Sequence, residues 1–173
     1  MLFQHGFANN SNKGFTLIEL TIALLLIAAL AAWGIPNFQA FGRNTALISD
    51  INRMQTAFSL ARNTAITHRT SVTVCPADPS RSACTHNWSE AIMVLTNDLS
   101  RPIRHDDIVR IFPAQDSTTI KYSRGWRRVS YNSLGQTSGY NGSFTLCTQS
   151  NAGRKLVLSQ FGRLRVDDTP IHC

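Results

Sequence analysis

Between Glu19 and Arg43 the chain carries 23 consecutive uncharged residues, mostly Leu, Ile and Ala. At about 1.5 Å of rise per residue, such a run makes a helix long enough to cross the roughly 30 Å hydrocarbon layer of a bilayer. The helix must be housed in lipid or among other helices, which leaves the residues beyond it to form a globular core. Glu19 sharpens the constraint, because it stands inside the apolar stretch "GFTLIELTIALLLIAAL". A carboxylate in lipid costs about 3 kcal/mol or more and marks a function or a cationic partner at the same depth. A secretory signal is the competing reading, since Ala28-Ala29-Leu30-Ala31 mimics a small-residue cleavage site. Apart from His5, however, only Lys13 supplies the basic flank that such a signal needs, and Glu19 argues against it.

The residues "KGFTLIEL" (13–20) followed by a long apolar helix resemble the cleavage and assembly motif of type IV pilins and type II secretion pseudopilins. The resemblance implies that a prepilin peptidase removes the leader, residues 1–14, by cutting between Gly14 and Phe15 and methylating the new N-terminus. Glu19 would then be the fifth residue of the mature chain, placed to pair with the N-terminal amine of a neighbouring pilin during filament assembly. A subunit stored in inner-membrane lipid with an unpaired carboxylate is stabilised when a partner's ammonium neutralises it. The leader has one firm positive charge, fewer than the motif ordinarily carries. The implied location is a single pass of the bacterial inner membrane with a periplasmic head, and later the pilus at the cell surface.

Residues 15–42 form the apolar half of the expected spine helix and 43–69 an amphipathic half. Pro36, in "WGIPNF", is expected to kink or locally unwind it, because proline lacks a backbone donor and crowds the preceding turn. Beyond it, Leu47, Ile51, Met54, Phe58, Ala61 and Ala65 recur at steps of four and three, one face of a helix that should pack on a sheet. From Thr70 the pattern changes to short β-rich runs: "TSVTVC", "EAIMVL", "IVRIF", "TTIKYS", "RRVSYN", "GSFTLC", "RKLVLSQ" and "RLRV", with Gly, Pro, Asn and Asp between them. The expected class is α+β: a long kinked N-terminal helix packed on an antiparallel β-sheet head spanning 70–173. This order of spine helix, sheet and paired cysteines is similar to the GspH/FimT branch of minor pilins and pseudopilins.

The four cysteines lie beyond the apolar segment, Cys75 near Cys84 and Cys147 upstream of Cys173. Outside the cytoplasm they are expected to be disulfides. Three connectivities are open; the two sequence-local pairs are preferred, each contributing roughly 2–4 kcal/mol by loop closure. A metal site is the weaker alternative, because no pair has Cys-x-x-Cys spacing. No cofactor is expected.

A formal net charge of +7 favours anionic partners, and the charge is segregated. Residues 117–166 hold Lys121, Arg124, Arg127, Arg128, Arg154, Lys155, Arg163 and Arg165 without one Asp or Glu, whereas acids are scattered through 50–116. In "FGRLRV" (161–166), if Gly162 turns the chain and a strand follows, Arg163 and Arg165 share a face while Leu164 and Val166 point inward. Two guanidinium forks at that spacing can bridge a phosphate backbone. Gly162-Arg163-Leu164-Arg165 also matches a Gly-Arg-x-Arg pattern found near the C-terminus of FimT-like proteins. "RGWRR" (124–128) offers a second cluster, with Trp126 as a stacking surface for a base.

Either cluster alone reads as a solvated sheet face. Together they point to a polyanion, with double-stranded DNA contacted through its phosphates and read without sequence preference. Four such contacts predict a salt slope on the order of −3.6. The implied function is a minor pilin that captures DNA for uptake in natural transformation. The alternative is a structural minor pilin, or a GspH-like pseudopilin that primes a type II secretion filament without binding DNA. Catalysis is not expected: the histidines are scattered, and Asp106 and Asp107 in "RHDDIVR" read as turn residues or arginine partners.

Overall fold

The computed structural model describes residues 16–96, 99–115, 118–149 and 151–173, with the side chains of 35–44 left undescribed. The leader, Gly14 and Phe15 therefore lie outside the described residues. Two compact units divide between Ala40 and Phe41. In the first unit, helix α1 (Leu17–His68) begins at Thr16, whose Oγ1 accepts the Glu19 amide at 3.3 Å as an N-cap. Glu19 thus occupies the first helical turn, where a carboxylate is favoured by the helix dipole. The segment Leu17–Gly34 has a mean hydropathy of 2.2 and none of it is buried, so it needs lipid or partner helices around it. α1 continues through Pro36 as helix, so the local unwinding expected as one outcome there does not occur.

In the second unit, the rest of α1 is the spine of a two-sheet head. Leu47, Ile51, Met54, Phe58, Ala61 and Ala65, the predicted face, are all buried. Ala57, Ala61 and Ala65 are fully buried, and Phe58 reaches into an aromatic cluster. It meets Phe144 edge-on at 5.3 Å, Trp88 at 6.1 Å and Tyr131 at 6.4 Å between ring centroids, arrangements favoured by the ring quadrupoles.

The sequence suggested one sheet; the chain builds two. The first has order β3 (Ile108–Phe112), β2 (Ile92–Leu95), β1 (Val72–Pro76), β5 (Val129–Tyr131), and the second β4 (Thr118–Tyr122), β6 (Gly142–Thr148), β7 (Ala152–Leu158), β8 (Leu164–His172). All pairings are antiparallel. β5 leaves the run of later strands and joins the first sheet at its edge beside β1.

The sheets differ in how they meet water. β1 and β2 are buried throughout, because α1 covers one face and the segments around Cys84, Leu99 and Ile103 cover the other. β4 alternates buried and exposed, β6 follows the same two-residue period and β7 does so from Lys155 onward, past a register shift after Gly153, so the second sheet keeps one solvated face. Both preferred disulfides are present. Cys75–Cys84 closes the loop after β1, and Cys147–Cys173 ties the residue after β8 to β6.

Candidate polyanion-binding face

Strand register places the basic residues. Lys121 stands opposite Thr145, Thr145 opposite Lys155, and Lys155 opposite Asp167, so these four form one row across β4, β6, β7 and β8 on the solvated face. In the next row Val157 faces Arg165. At ~4.8 Å per strand, Lys121 and Lys155 are about 10 Å apart, and Lys155 lies diagonally from Arg165 at roughly 7–8 Å between α-carbons. Alternation then turns Leu164 and Val166 toward the core, against which both pack, while Arg163 and Arg165 stay exposed.

The turn before β8 fixes this arrangement. Gly162 donates its amide to Ser159 O at 3.0 Å, and Ser159 donates to Arg163 O at 3.0 Å, closing a three-residue hairpin loop in which Gly162 has φ +78°. A left-handed residue at this position is what such a loop requires. Gly162 O also accepts the buried Tyr131 hydroxyl at 3.1 Å. Burial pushes that phenol well above its ordinary pKa, so it remains a donor.

Lys121, Lys155, Arg163 and Arg165 therefore lie on the solvated side of the second sheet, spread across its width from β4 to β8. Other candidates go elsewhere. Arg154 has the opposite strand parity from Lys155, and its guanidinium donates to Asp168 O at 2.7 Å, so it leaves the face. Arg124, Arg127 and Arg128 lie in the loop after β4, where Arg127 and Arg128 line an open groove of about 520 Å³ with His86, Trp126 and Tyr140. Since Ser123 pairs with Ser143 in the row that holds Arg165, this loop leaves the same end of the sheet, about 14 Å from β8 by strand spacing. Trp126 is 42% exposed. Its ring is already engaged, with the Arg124 guanidinium 5.7 Å from its centroid and Tyr140 edge-on at 5.0 Å. Arg128 donates to the Tyr140 hydroxyl at 3.3 Å, so the loop is held by its own aromatic and cationic contacts.

The acid-free window of the sequence is not an acid-free patch. Asp167, one residue past it, sits 3.9 Å from the Lys155 ammonium. Hydrogen bonds from Thr169, followed by the charges of Lys155 and Arg165, hold its carboxyl below the usual range. His105–Asp107 form a short 3-10 turn, and Asp107 takes a bidentate pair from Arg101 at 2.6 and 2.8 Å. It is thus an arginine partner, as its sequence context suggested.

Sequence reasoning missed a buried pair on α1. Asp50 is fully buried and Arg53 nearly so, with Arg53 Nε 2.8 Å from Asp50 Oδ1. Thr118 donates to Asp50, while Arg53 donates to Glu90 O at 3.1 Å and Pro113 O at 2.9 Å. The pair joins the spine to the start of β4. Its i,i+3 spacing was visible, but nothing in the sequence distinguished it from a solvated helix pair.

Residues 50–162 match the family model of type II transport protein GspH, and residues 9–35 match the prokaryotic N-terminal methylation motif. No curated protein matches the chain in sequence. Two crystal structures of the type IV minor pilin FimU from Pseudomonas aeruginosa strain PAO1 share the fold. One has 15% identity and a TM-score of 0.57, covering 73% of this chain and 92% of that one. The other has 16% identity and a TM-score of 0.54, covering 70% and 92%. The chain belongs to the GspH/FimT family of type IV minor pilins and pseudopilins, proteins that carry a methylation motif ahead of an apolar helix and a β-rich head.

Proposed function

We propose that this minor pilin binds DNA through phosphate contacts made by Lys121, Lys155, Arg163 and Arg165, and that it serves DNA capture at the pilus. The observation that carries the reading is the braced hairpin backbone from which Arg163 and Arg165 project. Two exposed guanidinium groups with α-carbons about 6.6 Å apart along one strand direction follow a hairpin that the core holds in place. A backbone already fixed by the hairpin leaves only the side chains to be ordered on binding, and a sheet face without a groove-reading helix favours sequence-independent contact. Gly14, Phe15 and Glu19 keep the roles the motif implies: processing by a prepilin peptidase, then pairing of Glu19 with a neighbouring pilin's N-terminal amine.

The test is a fluorescence titration of duplex DNA with the full-length protein in uncharged detergent at several salt concentrations. Binding should weaken with a log–log slope on the order of −3.6 for four phosphate contacts. Replacing both Arg163 and Arg165 by Gln should bring the slope to about −1.8. A parent protein that ignores duplex DNA at low salt would leave the assembly reading, in which the same arginines contact other subunits. Its supporting observation is the wholly exposed apolar helix Leu17–Gly34, which suits a filament core.

A further inference from the structure

The hairpin that carries Arg163 has a twin. In the loop after β5, Gly135 donates to Asn132 O at 2.8 Å and Asn132 donates to Gln136 O at 2.9 Å, with Gly135 at φ +71°. This is the same three-residue construction as Ser159–Arg163. The two loops are braced against each other: Thr137 donates its amide to Gln160 O and its hydroxyl to Ser159 O, both at 3.0 Å. In each loop the residue before the glycine is a large apolar side chain, Leu134 in one and Phe161 in the other, and each is 71% exposed. Turn positions of this kind ordinarily hold Asn, Asp or Ser. Here the fold gains no core from either side chain.

An aromatic ring held out to solvent on a braced turn, followed at once by Arg163 and then Arg165, is the composition that reads single-stranded nucleic acid: a stacking surface beside cations that track the backbone. The loops 132–136 and 159–163 contain no acidic residue, which disfavours a basic protein partner and leaves charge complementarity with an anion. We propose that Phe161 is a stacking platform for an unpaired nucleobase, flanked by Leu134, with Arg163 and Arg165 holding the adjoining phosphates. This rests on the phosphate reading above and refines it. The preferred ligand is a single-stranded segment, because the bases of an intact duplex are stacked on each other and closed to the ring.

The experiment compares full-length protein in uncharged detergent on two probes: a single-stranded oligodeoxynucleotide containing 2-aminopurine, and a blunt duplex of the same sequence. The parent should bind the single strand more tightly and change the fluorophore's emission by stacking. Phe161→Ala should weaken single-strand binding about 5- to 150-fold, the range for one lost base–aromatic stack, with the salt slope unchanged. Duplex affinity should stay within about twofold, Phe161→Trp should restore single-strand binding, and the melting temperature should hold because the ring is exposed. If Phe161→Ala binds the single strand like the parent while Arg163→Gln with Arg165→Gln loses it, the stacking platform is wrong and the phosphate reading stands. Equal losses on both probes also overturn it, as does a Phe161→Ala defect confined to incorporation into filaments. A parent that binds neither probe removes both readings together.

Discussion

A Cβ built on Gly162 would lie 2.1 Å from the carbonyl oxygen of Gly135. The two braced turns therefore touch backbone to backbone, and the glycine of the Gly-Arg-Leu-Arg run is fixed by packing as well as by its positive φ. Gly162→Ala adds a left-handed strain of roughly 1–2 kcal/mol to an overpacking cost of roughly 1–3 kcal/mol. The expected loss is about 2–5 kcal/mol, seen as a melting temperature lower by about 4–20 °C. Gly125 supplies the control, because it has φ +64° but no atom within 4 Å of a new Cβ. Gly125→Ala should cost only the strain, and equal losses at the two positions would refute the packing role of Gly162.

Asp167 restrains the basic face from within. It pairs with Lys155 across the β7–β8 register and lies on the same strand as Arg165. Both partners are substantially exposed, so the pair adds little to stability, about 0–1 kcal/mol. Its effect on a polyanion should be larger, since it repels phosphate and occupies Lys155. Asp167→Asn is expected to tighten duplex DNA binding about 2- to 5-fold at low salt, with the gain shrinking as salt rises. Unchanged affinity in a titration at low salt would remove Lys155 from the contact set.

Much of this was legible beforehand, and the gaps have physical causes. The face from Leu47 to Ala65 was readable because a helix half covered by sheet must bury every third or fourth residue. All eight β runs were likewise visible from their branched and aromatic content. What local pattern cannot show is partnership: β5 pairs with β1 across more than fifty residues, and among the described residues no strand of the first sheet pairs with one of the second, so the runs form two sheets instead of one. β8 continues to His172 through Asp167, Asp168 and Pro170, which read as breakers. As an edge strand it can tolerate proline and unpaired polar residues. The same blindness hid Asp167 from the charge count, because a window in sequence is not a patch in space. Phe161 and Leu134 went unnoticed because a turn residue's exposure depends on what lies beside the turn.

Asp78 gives the loop closed by Cys75–Cys84 a dependence on pH. Its carboxylate accepts the Ser80 hydroxyl, the Ala83 amide at 2.9 Å and the Ser82 amide at 2.7 Å, which lower its pKa to about 2. A depressed carboxyl stabilises the folded loop fully above its unfolded value of about 3.9, and that contribution is lost as pH falls through about 2. Amide exchange at Ser82 and Ala83 should therefore be slow above pH 4 and accelerate, relative to the intrinsic rate, toward pH 2. Asp78→Asn should show the faster exchange at every pH. Protection that does not change between pH 4 and pH 2 would mean the carboxylate does not hold the loop.

The Asp50–Arg53 pair should be the most sensitive polar contact in the head. Burial raises the Asp50 pKa and lowers that of Arg53, each opposed by the partner's charge, so both ions depend on the other to remain charged out of water. Asp50→Ala leaves the Arg53 guanidinium buried without its counter-ion and frees the Thr118 hydroxyl, and it should cost about 3–5 kcal/mol. The double change Asp50→Leu with Arg53→Met removes both charges. It should recover at least half of that loss, though the Glu90 and Pro113 carbonyls lose their donor. Urea unfolding followed by the fluorescence of buried Trp88 would measure both, and a single-variant loss below about 1 kcal/mol would show that water reaches the pair. Because Thr118 opens the strand that carries Lys121, these variants also separate support from contact: below the unfolding transition, their DNA affinity should match that of the parent.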